Sequence, residues 1–275
     1  MDLDTITAVL TPRSREDLAA WREGDAWLAG GTWLFSEPQP GLARLQDLSR
    51  LGWAPVEIDA DGLRIAATCT IAQLDRVECP AGWTAAPLIG QCCRALLGSF
   101  KIWNTATVGG NLCMALPAGP LIALAAALDG TCLIWRQDGG ERRLPVIDFV
   151  RGPQETALAP GEVLRRIDLP AAALRRRPAF RRISLSPNGR SGALLIGTRD
   201  PDGSAALTVT AATRRPVRLA WPTLPDAATL AARLAAAIPN DLYYDDVHGA
   251  PDWRRHVTHL LAEEIRRALD GDPGP

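Results

Sequence analysis

The sequence predicts an α+β fold with a large N-terminal body and a smaller C-terminal domain, and three observations predict it. Short apolar runs typical of strands alternate with helical apolar periodicity through the first part of the chain. The segment 170–178 is rich in alanine and arginine and has a proline at each end, which is typical of a linker or domain boundary. Beyond it strand patterns dominate, and two helical patterns close the chain. We therefore expect a body at 1–170, with lobes at about 1–53 and 54–170, and a C-terminal domain at 178–275.

The elements of the body follow from local signals. Ser14, with Asp17 three residues later, predicts a helix whose apolar face holds Leu18 and Trp21. Thr70 and Gln73 form a predicted capping box for another helix. The remaining predictions are strands at 26–28, 45–48 and 131–135, a hairpin of 56–58 with 63–65, and helices at about 85–97 and 120–128.

The C-terminal elements are predicted in the same way. Asp200 to Gly203 reads Asp-Pro-Asp-Gly, which is a strong turn signal between two strands. The predicted strands are 182–185, 193–199 and 206–210, and the predicted helices are 227–237 and 253–269. Residues 271–275 are expected to be a frayed tail.

Composition excludes several classes of protein. A formal charge of −1 argues against a chain built to coat nucleic acid. No run of 18 apolar residues predicts a membrane span, and no early segment reads as an export signal, so we expect a cytoplasmic protein. The six cysteines form no C-x-x-C pair, and His256 with His259 has no evident third ligand, so we expect no metal site.

Two segments combine paired glycines with a threonine, Ala29-Gly30-Gly31-Thr32 and Thr107-Val108-Gly109-Gly110-Asn111. Read as loops, they let backbone N–H groups converge at left-handed φ, which forms a nest for phosphate oxygens. The side chains of Thr32, Thr107 and Asn111 add hydrogen-bonding groups. Either segment alone is equally compatible with an ordinary turn, whereas two together favour a pyrophosphate. Neither matches the Rossmann or the P-loop pattern.

Several motifs together resemble the FAD-binding medium subunit of the molybdenum hydroxylases, the xanthine dehydrogenase and carbon monoxide dehydrogenase family. They are "LAGGTWL", "TATVGGNLCMALPAGPLIALAAALDG", "LAPGEVLRRIDLP" and "RRPVRLAWPTL", followed by "DDVHGAPDWRRHVTHLLAEEIRRAL". Their order and spacing match along nearly the whole chain.

The resemblance implies a vanillyl-alcohol-oxidase-like, two-lobed FAD domain closed by a small sheet-and-helix domain. It implies partner subunits that carry 2Fe-2S clusters and molybdopterin, and a flavin that passes electrons to an external acceptor. No catalytic acid or nucleophile is expected in this chain, because the cofactor supplies the redox chemistry. The implied FAD-binding residues are Leu28, Ala29, Gly30, Gly31, Thr32, Trp33, Trp103, Thr107, Val108, Gly109, Gly110, Asn111, Pro120 and Arg182.

The chain departs from the family at some of these positions. The family often has aspartate at Pro120, arginine at Trp103 and a polar residue at Leu116, and its tyrosine–lysine pair falls on Phe180 and Arg182. These departures leave open a non-catalytic scaffold subunit with a weakened or empty flavin site. A free-standing flavin reductase is a third hypothesis. Substrate, electron acceptor and stoichiometry stay open.

Overall fold

The computed structural model describes residues 3–18 and 20–271 of the 275-residue chain. Strands and helices occur in mixed order, so the predicted α+β fold class is confirmed. The strands are β1 (Ala8–Leu10), β2 (Asp25–Leu28), β3 (Arg44–Asp47), β4 (Val56–Ile58), β5 (Gly62–Ala66), β6 (Thr131–Trp135), β7 (Glu141–Pro145), β8 (Val150–Gly152), β9 (Glu155–Thr156), β10 (Val163–Pro170), β11 (Arg177–Ile183), β12 (Ala193–Arg199), β13 (Ala205–Thr210) and β14 (Val217–Trp221). The helices are α1 (Ile71–Asp75), α2 (Pro87–Ala95), α3 (Phe100–Trp103), α4 (Val108–Met114), α5 (Pro120–Ala127), α6 (Val146–Phe149), α7 (Ala171–Leu174), α8 (Ala227–Ala237) and α9 (Pro251–Asp270), with 3-10 turns at Leu48–Arg50 and Asn240–Leu242. The tail predicted beyond Gly271 lies outside the described residues.

A small parallel sheet with strand order β1-β3-β2 is built from the first fifty residues or so. Asp25, at the start of β2, is buried and accepts hydrogen bonds from the Arg44 guanidinium of β3 at 2.7 and 2.5 Å. These bonds keep the pKa of Asp25 below its usual value, although burial alone would raise it. The pair therefore holds β2, and the glycine segment that follows it, against β3.

The helix predicted to begin at Ser14 is wrong, because the described residues there form bends and turns. The Asp17 carboxylate accepts hydrogen bonds from the backbone N–H groups of Arg13 at 3.0 Å and Ser14 at 3.1 Å. Such short side-chain-to-backbone bonds compete with helix formation. Trp21 stacks at 5.0 Å on Trp27 of β2 instead of lining a helix face.

The second sheet is antiparallel, with strand order β4-β5-β10-β6-β7. Helices α1, α2, α4 and α5 contribute to the large apolar core beside it. Every residue of α5 is buried, which a helix covering only one sheet would not require. The same core includes Leu194 and Ile196 of β12, and α5 packs against α2 and α4 and against strands β12 and β13 of the third sheet.

The third sheet is an antiparallel meander, β11-β12-β13-β14. Its other face packs on α8 and α9 in a second apolar cluster. Gly197 of β12 allows close packing there, because a Cβ would lie 2.2 Å from the Ile265 side chain of α9. The predicted bounds of β12 and α8 are confirmed, whereas β14 was missed. Among the described residues, no helix combines the length and apolar character needed to cross a bilayer.

The segment 170–178 is not an irregular linker, whereas its interpretation as a domain boundary stays a prediction. Strand β10 continues to Pro170, α7 follows at once, and β11 begins at Arg177. The side chains of Ala173 and Leu174 are buried in the large core. Arg176 pairs with Asp129 at 2.6 Å and with Asp200 at 2.8 Å. The chain thus passes from the second sheet to the third through a packed helix.

Candidate functional site

The first glycine segment follows β2 directly, so Leu28 ends the strand and residues 29–33 form a bend and turn. Gly31 has φ +67°, a left-handed value that glycine adopts without strain. Among the described residues, the backbone N–H groups of Gly31, Thr32 and Trp33 have no hydrogen-bond partner. All three residues are half-buried. This turn therefore offers consecutive free donors to a ligand, as the nest interpretation expects.

The second glycine segment is a helix, not a loop, and the nest interpretation is wrong here. Thr107 is the N-cap of α4, and its hydroxyl accepts from the Gly110 N–H at 3.0 Å. Val108, Gly109 and Gly110 form the first turn of α4, and neither glycine has a left-handed φ.

The backbone donors of this first turn already have partners inside the protein. The Val108 N–H donates to Cys69 O at 2.8 Å, and the Gly109 N–H donates to Ala67 O at 2.9 Å. Thr107 pairs with Thr70 in an antiparallel bridge. The strap formed by residues 67–71 therefore fixes the start of α4 and uses amides that the sequence alone would assign to a phosphate.

The first glycine segment contacts the chain immediately before the second, which the sequence could not show. A Cβ on Gly30 would lie 1.9 Å from the Thr105 carbonyl oxygen, so only glycine allows this approach. Gly109 likewise packs on the strap, where a Cβ would lie 2.5 Å from the Ala67 Cβ. Gly110 differs, because a Cβ there would meet only the Thr107 hydroxyl, at 3.0 Å. Gly110 is thus the glycine of α4 with an open side. Paired glycines were the signal for this contact, whereas no sequence signal marked Ala67 or Thr105.

Asn111 and Pro120 lie together at the N-terminus of α5. The Asn111 side-chain oxygen accepts from the backbone N–H of Leu121 at 3.1 Å. Pro120 is the first residue of α5 and is buried. Asn111 therefore positions α5 relative to α4 in the structure.

The side chains of Trp103 and Arg182 form hydrogen bonds with residues outside the glycine segments. The Trp103 indole N–H donates to Leu96 O at 3.2 Å, and its ring packs against the large core. Arg182 lies on β11, two residues after Phe180, and donates to Gly189 O at 2.9 Å. Neither residue is joined to the glycine segments by a hydrogen bond or ion pair among the described residues.

The thiols near the site are not poised for nucleophilic chemistry. Burial raises the pKa of the Cys69 and Cys93 thiols to about 12, so both stay protonated at neutral pH.

Burial together with Arg255 and His256 lowers the pKa of His259 on α9. No group of histidine, cysteine, aspartate and glutamate within residues 3–18 and 20–271 has a metal-binding arrangement.

Comparisons with known proteins concern the family and the fold. A family model described as the FAD binding domain in molybdopterin dehydrogenase matches residues 5–172. The caffeine dehydrogenase subunit beta of Pseudomonas sp. (strain CBB1) is 27% identical over 173 residues, which cover 61% of this chain and 57% of that one. The chain spans between 9% and 57% of the lengths of the curated relatives that it matches.

Two solved structures share the fold along almost the whole chain. The quinoline 2-oxidoreductase of Pseudomonas putida 86 matches with a TM-score of 0.76 and 21% identity, covering 97% of this chain and 98% of that one. The Cu,Mo-CO dehydrogenase matches with a TM-score of 0.79 and 20% identity, covering 96% and 99%. At this level of identity the likeness concerns the fold.

Proposed function

The chain belongs to the family of FAD-binding domains in molybdopterin dehydrogenases, and on that premise we propose that it is the FAD-carrying electron-transfer subunit of a molybdenum hydroxylase complex. It would take electrons from iron–sulfur clusters and pass them to an external acceptor. Substrate oxidation would occur on a molybdopterin-binding partner subunit. FAD supplies the electron-transfer chemistry when bound, and the protein supplies binding and orientation.

The observation that carries this proposal is the contact of the first glycine segment with the chain that leads into α4, beside unused backbone donors. Gly30 lies against Thr105, so the turn after β2 and the segment that enters α4 form one surface. The free N–H groups of Gly31, Thr32 and Trp33 suit the oxygens of a pyrophosphate. The residues present therefore fit the phosphate portion of FAD.

The residues would divide the work of holding the cofactor. We assign the pyrophosphate to the amides of residues 31–33, with the Thr32 hydroxyl as a further donor. Gly110 would give the cofactor room on the open side of α4, and Asn111 would keep the start of α5 in place. Leu28 and Ala29 would set the path of the turn. Trp103 would act through the core, because its indole N–H is used by Leu96.

The proposed complex has three kinds of subunit. The partners would be an iron–sulfur subunit with 2Fe-2S clusters and a molybdopterin-binding subunit, and the complex would be cytoplasmic. We propose the same domain division as the sequence indicated, 1–170 and 178–275, with α7 between the two parts. Structures that share this fold over their whole length support the proposal.

The alternative is a scaffold subunit that holds the same partners without a working flavin. The occupied amides of Val108 and Gly109 favour it, as does the buried Pro120 where the family often has aspartate. A weakened site of this kind would retain the fold and lose the cofactor.

Cofactor titration separates the two functions. The purified chain, with any partners that co-purify, should show absorption bands near about 370 and 450 nm and release FAD on acid treatment. A colourless chain should regain these bands when FAD is added. A chain that stays colourless and gives no heat of binding with FAD would overturn the proposal and favour the scaffold.

A further inference from the structure

The corner between α4 and α5, residues 115–119, is held from the C-terminal part of the chain. Ala115 begins the corner at φ +48°, and its carbonyl accepts from the Gln154 N–H at 3.2 Å. The Ala211 N–H, just after β13, donates to the Pro117 carbonyl at 2.8 Å. Ala211 is itself left-handed, at φ +63°. Two non-glycine residues in this sparsely populated conformation indicate that surrounding contacts dictate the geometry.

Arg254 of α9 supplies those contacts on the C-terminal side. Its side chain is 1% exposed, yet it carries a full charge. One guanidinium nitrogen donates to Ala211 O at 2.5 Å and to Gly192 O at 2.7 Å. Nε donates to Gly249 O at 2.8 Å, and the other terminal nitrogen pairs with the Asp246 carboxylate.

Arg254 does more than fill space in the core. An apolar side chain would fill the same space on α9 without the cost of removing a charge from water. The planar guanidinium instead fixes four acceptors from three separate segments in one geometry. One of them is Ala211, whose N–H reaches Pro117 in the corner. Ala211 therefore joins Arg254 to the corner, because its carbonyl accepts from Arg254 and its N–H donates to Pro117.

We propose that Arg254 is a positioning residue that sets the α4–α5 corner and, through it, the affinity for FAD. The relay runs from the Arg254 guanidinium to the Ala211 carbonyl, and from the Ala211 N–H to the Pro117 carbonyl. Pro117 lies between Asn111 and Pro120, which are both assigned to the FAD site. The link to FAD rests on the proposed function, whereas the relay itself does not.

The test compares Arg254→Met with Leu234→Ala in the full chain. Leu234 on α8 is 1% exposed in the C-terminal cluster and takes no part in the relay, so it is a control for general destabilisation. Asp246→Ala is a second variant, which removes the partly exposed carboxylate that pairs with Arg254 and accepts from the His248 N–H, and leaves the guanidinium contacts to Ala211 and Gly192 in place. Hydrogen exchange without FAD follows peptides covering 112–119 and 208–213. FAD titration then gives the dissociation constant of each variant.

We expect Arg254→Met to speed exchange in both peptides about tenfold relative to Leu234→Ala at matched thermal stability. The FAD dissociation constant should rise about fivefold or more, the lower range of coupling between distant sites. Asp246→Ala should raise the exchange rates and the FAD dissociation constant by smaller factors. It serves as the test of the relay if Arg254→Met does not fold. Equal exchange in the relay variants and the control would overturn the relay. Faster exchange with unchanged FAD affinity would overturn its effect on the cofactor. If the wild-type chain binds no FAD but Arg254→Met still speeds exchange in both peptides, the relay is supported and the proposed function is refuted.

Discussion

Gly109 and Gly110 are adjacent in α4, yet replacing them with alanine should have different effects. Gly109→Ala should lower the stability of the fold, whereas Gly110→Ala should weaken FAD binding. A Cβ on Gly109 would lie 2.5 Å from the Ala67 Cβ and 2.7 Å from the Ala67 carbonyl oxygen. Overpacking of this kind costs about 1–3 kcal/mol, and the higher helix propensity of alanine returns about 0.8–1 kcal/mol. We therefore expect Gly109→Ala to lower the free energy of unfolding by up to about 2 kcal/mol.

Gly110→Ala meets only the Thr107 hydroxyl, at 3.0 Å. Strain on this N-cap, whose bond is worth about 1 kcal/mol, should roughly cancel the gain in helix propensity. The free energy of unfolding should stay within about 0.5 kcal/mol of wild type, the usual range for sites outside the core. A methyl group on the open side should nevertheless weaken FAD binding about tenfold, which is 1.4 kcal/mol.

Urea unfolding of the FAD-free chain and fluorescence titration with FAD measure the two quantities independently. Gly110→Val enlarges the same obstruction and should remove most of the FAD. If Gly110→Ala and Gly110→Val both bind FAD as tightly as wild type, the open side of α4 does not face the cofactor. If Gly109→Ala proves more stable than wild type, the packing of α4 on the strap is not as described.

Three further predictions concern other parts of the site and its support. Asp25→Asn should lower the free energy of unfolding at pH 7 by about 3 kcal/mol, because it leaves the Arg44 charge without its buried partner. Since folding depresses the pKa of Asp25, the wild type should lose this contribution as pH falls through the folded-state pKa, below its usual range; urea unfolding that shows the same acid sensitivity in both proteins would contradict this. Pro120→Asp should tighten FAD binding by restoring a charge-assisted hydrogen bond worth about 1.5–3 kcal/mol, and unchanged or weaker binding in a titration would show that the local geometry no longer suits a carboxylate. Trp103→Phe should cost about 1 kcal/mol by removing the bond to Leu96 while leaving FAD affinity unchanged, and a large loss of affinity would place the indole at the cofactor.

Regular elements with strong local signals were predictable from the sequence. The largely apolar run 193–199 predicts the observed bounds of β12, and the capping box of Thr70 and Gln73 is present as predicted. The Ser14 helix failed because Asp17 bonds backwards to the chain before it. Hydrophobic periodicity does not distinguish a helix from a turn here, because the Asp17 carboxylate can cap the one or close the other.

Helix α4 was missed for a different reason. Adjacent glycines cost a helix about 1 kcal/mol each relative to alanine, so local propensity argues for a loop. The strap at 67–71 outweighs this preference, because it supplies carbonyl partners for Val108 and Gly109. These carbonyls lie about forty residues earlier in the chain, and no local sequence pattern predicts that they contact α4. The meeting of Gly30 with Thr105 is hidden from the sequence for the same reason.

A single motif therefore contains glycines retained for different physical reasons. Gly31 is required by its left-handed φ, and Gly30 and Gly109 are required by the close approach of backbone or Ala67. Gly110 satisfies neither condition, because its φ is helical and a Cβ would meet only the Thr107 hydroxyl, at 3.0 Å. Folding alone gives little reason for glycine at that position, since strain on the Thr107 N-cap and the gain in helix propensity roughly cancel for alanine. A residue that the fold does not require is the one whose identity a ligand can explain, so Gly110 is the most informative position at which to test the flavin site.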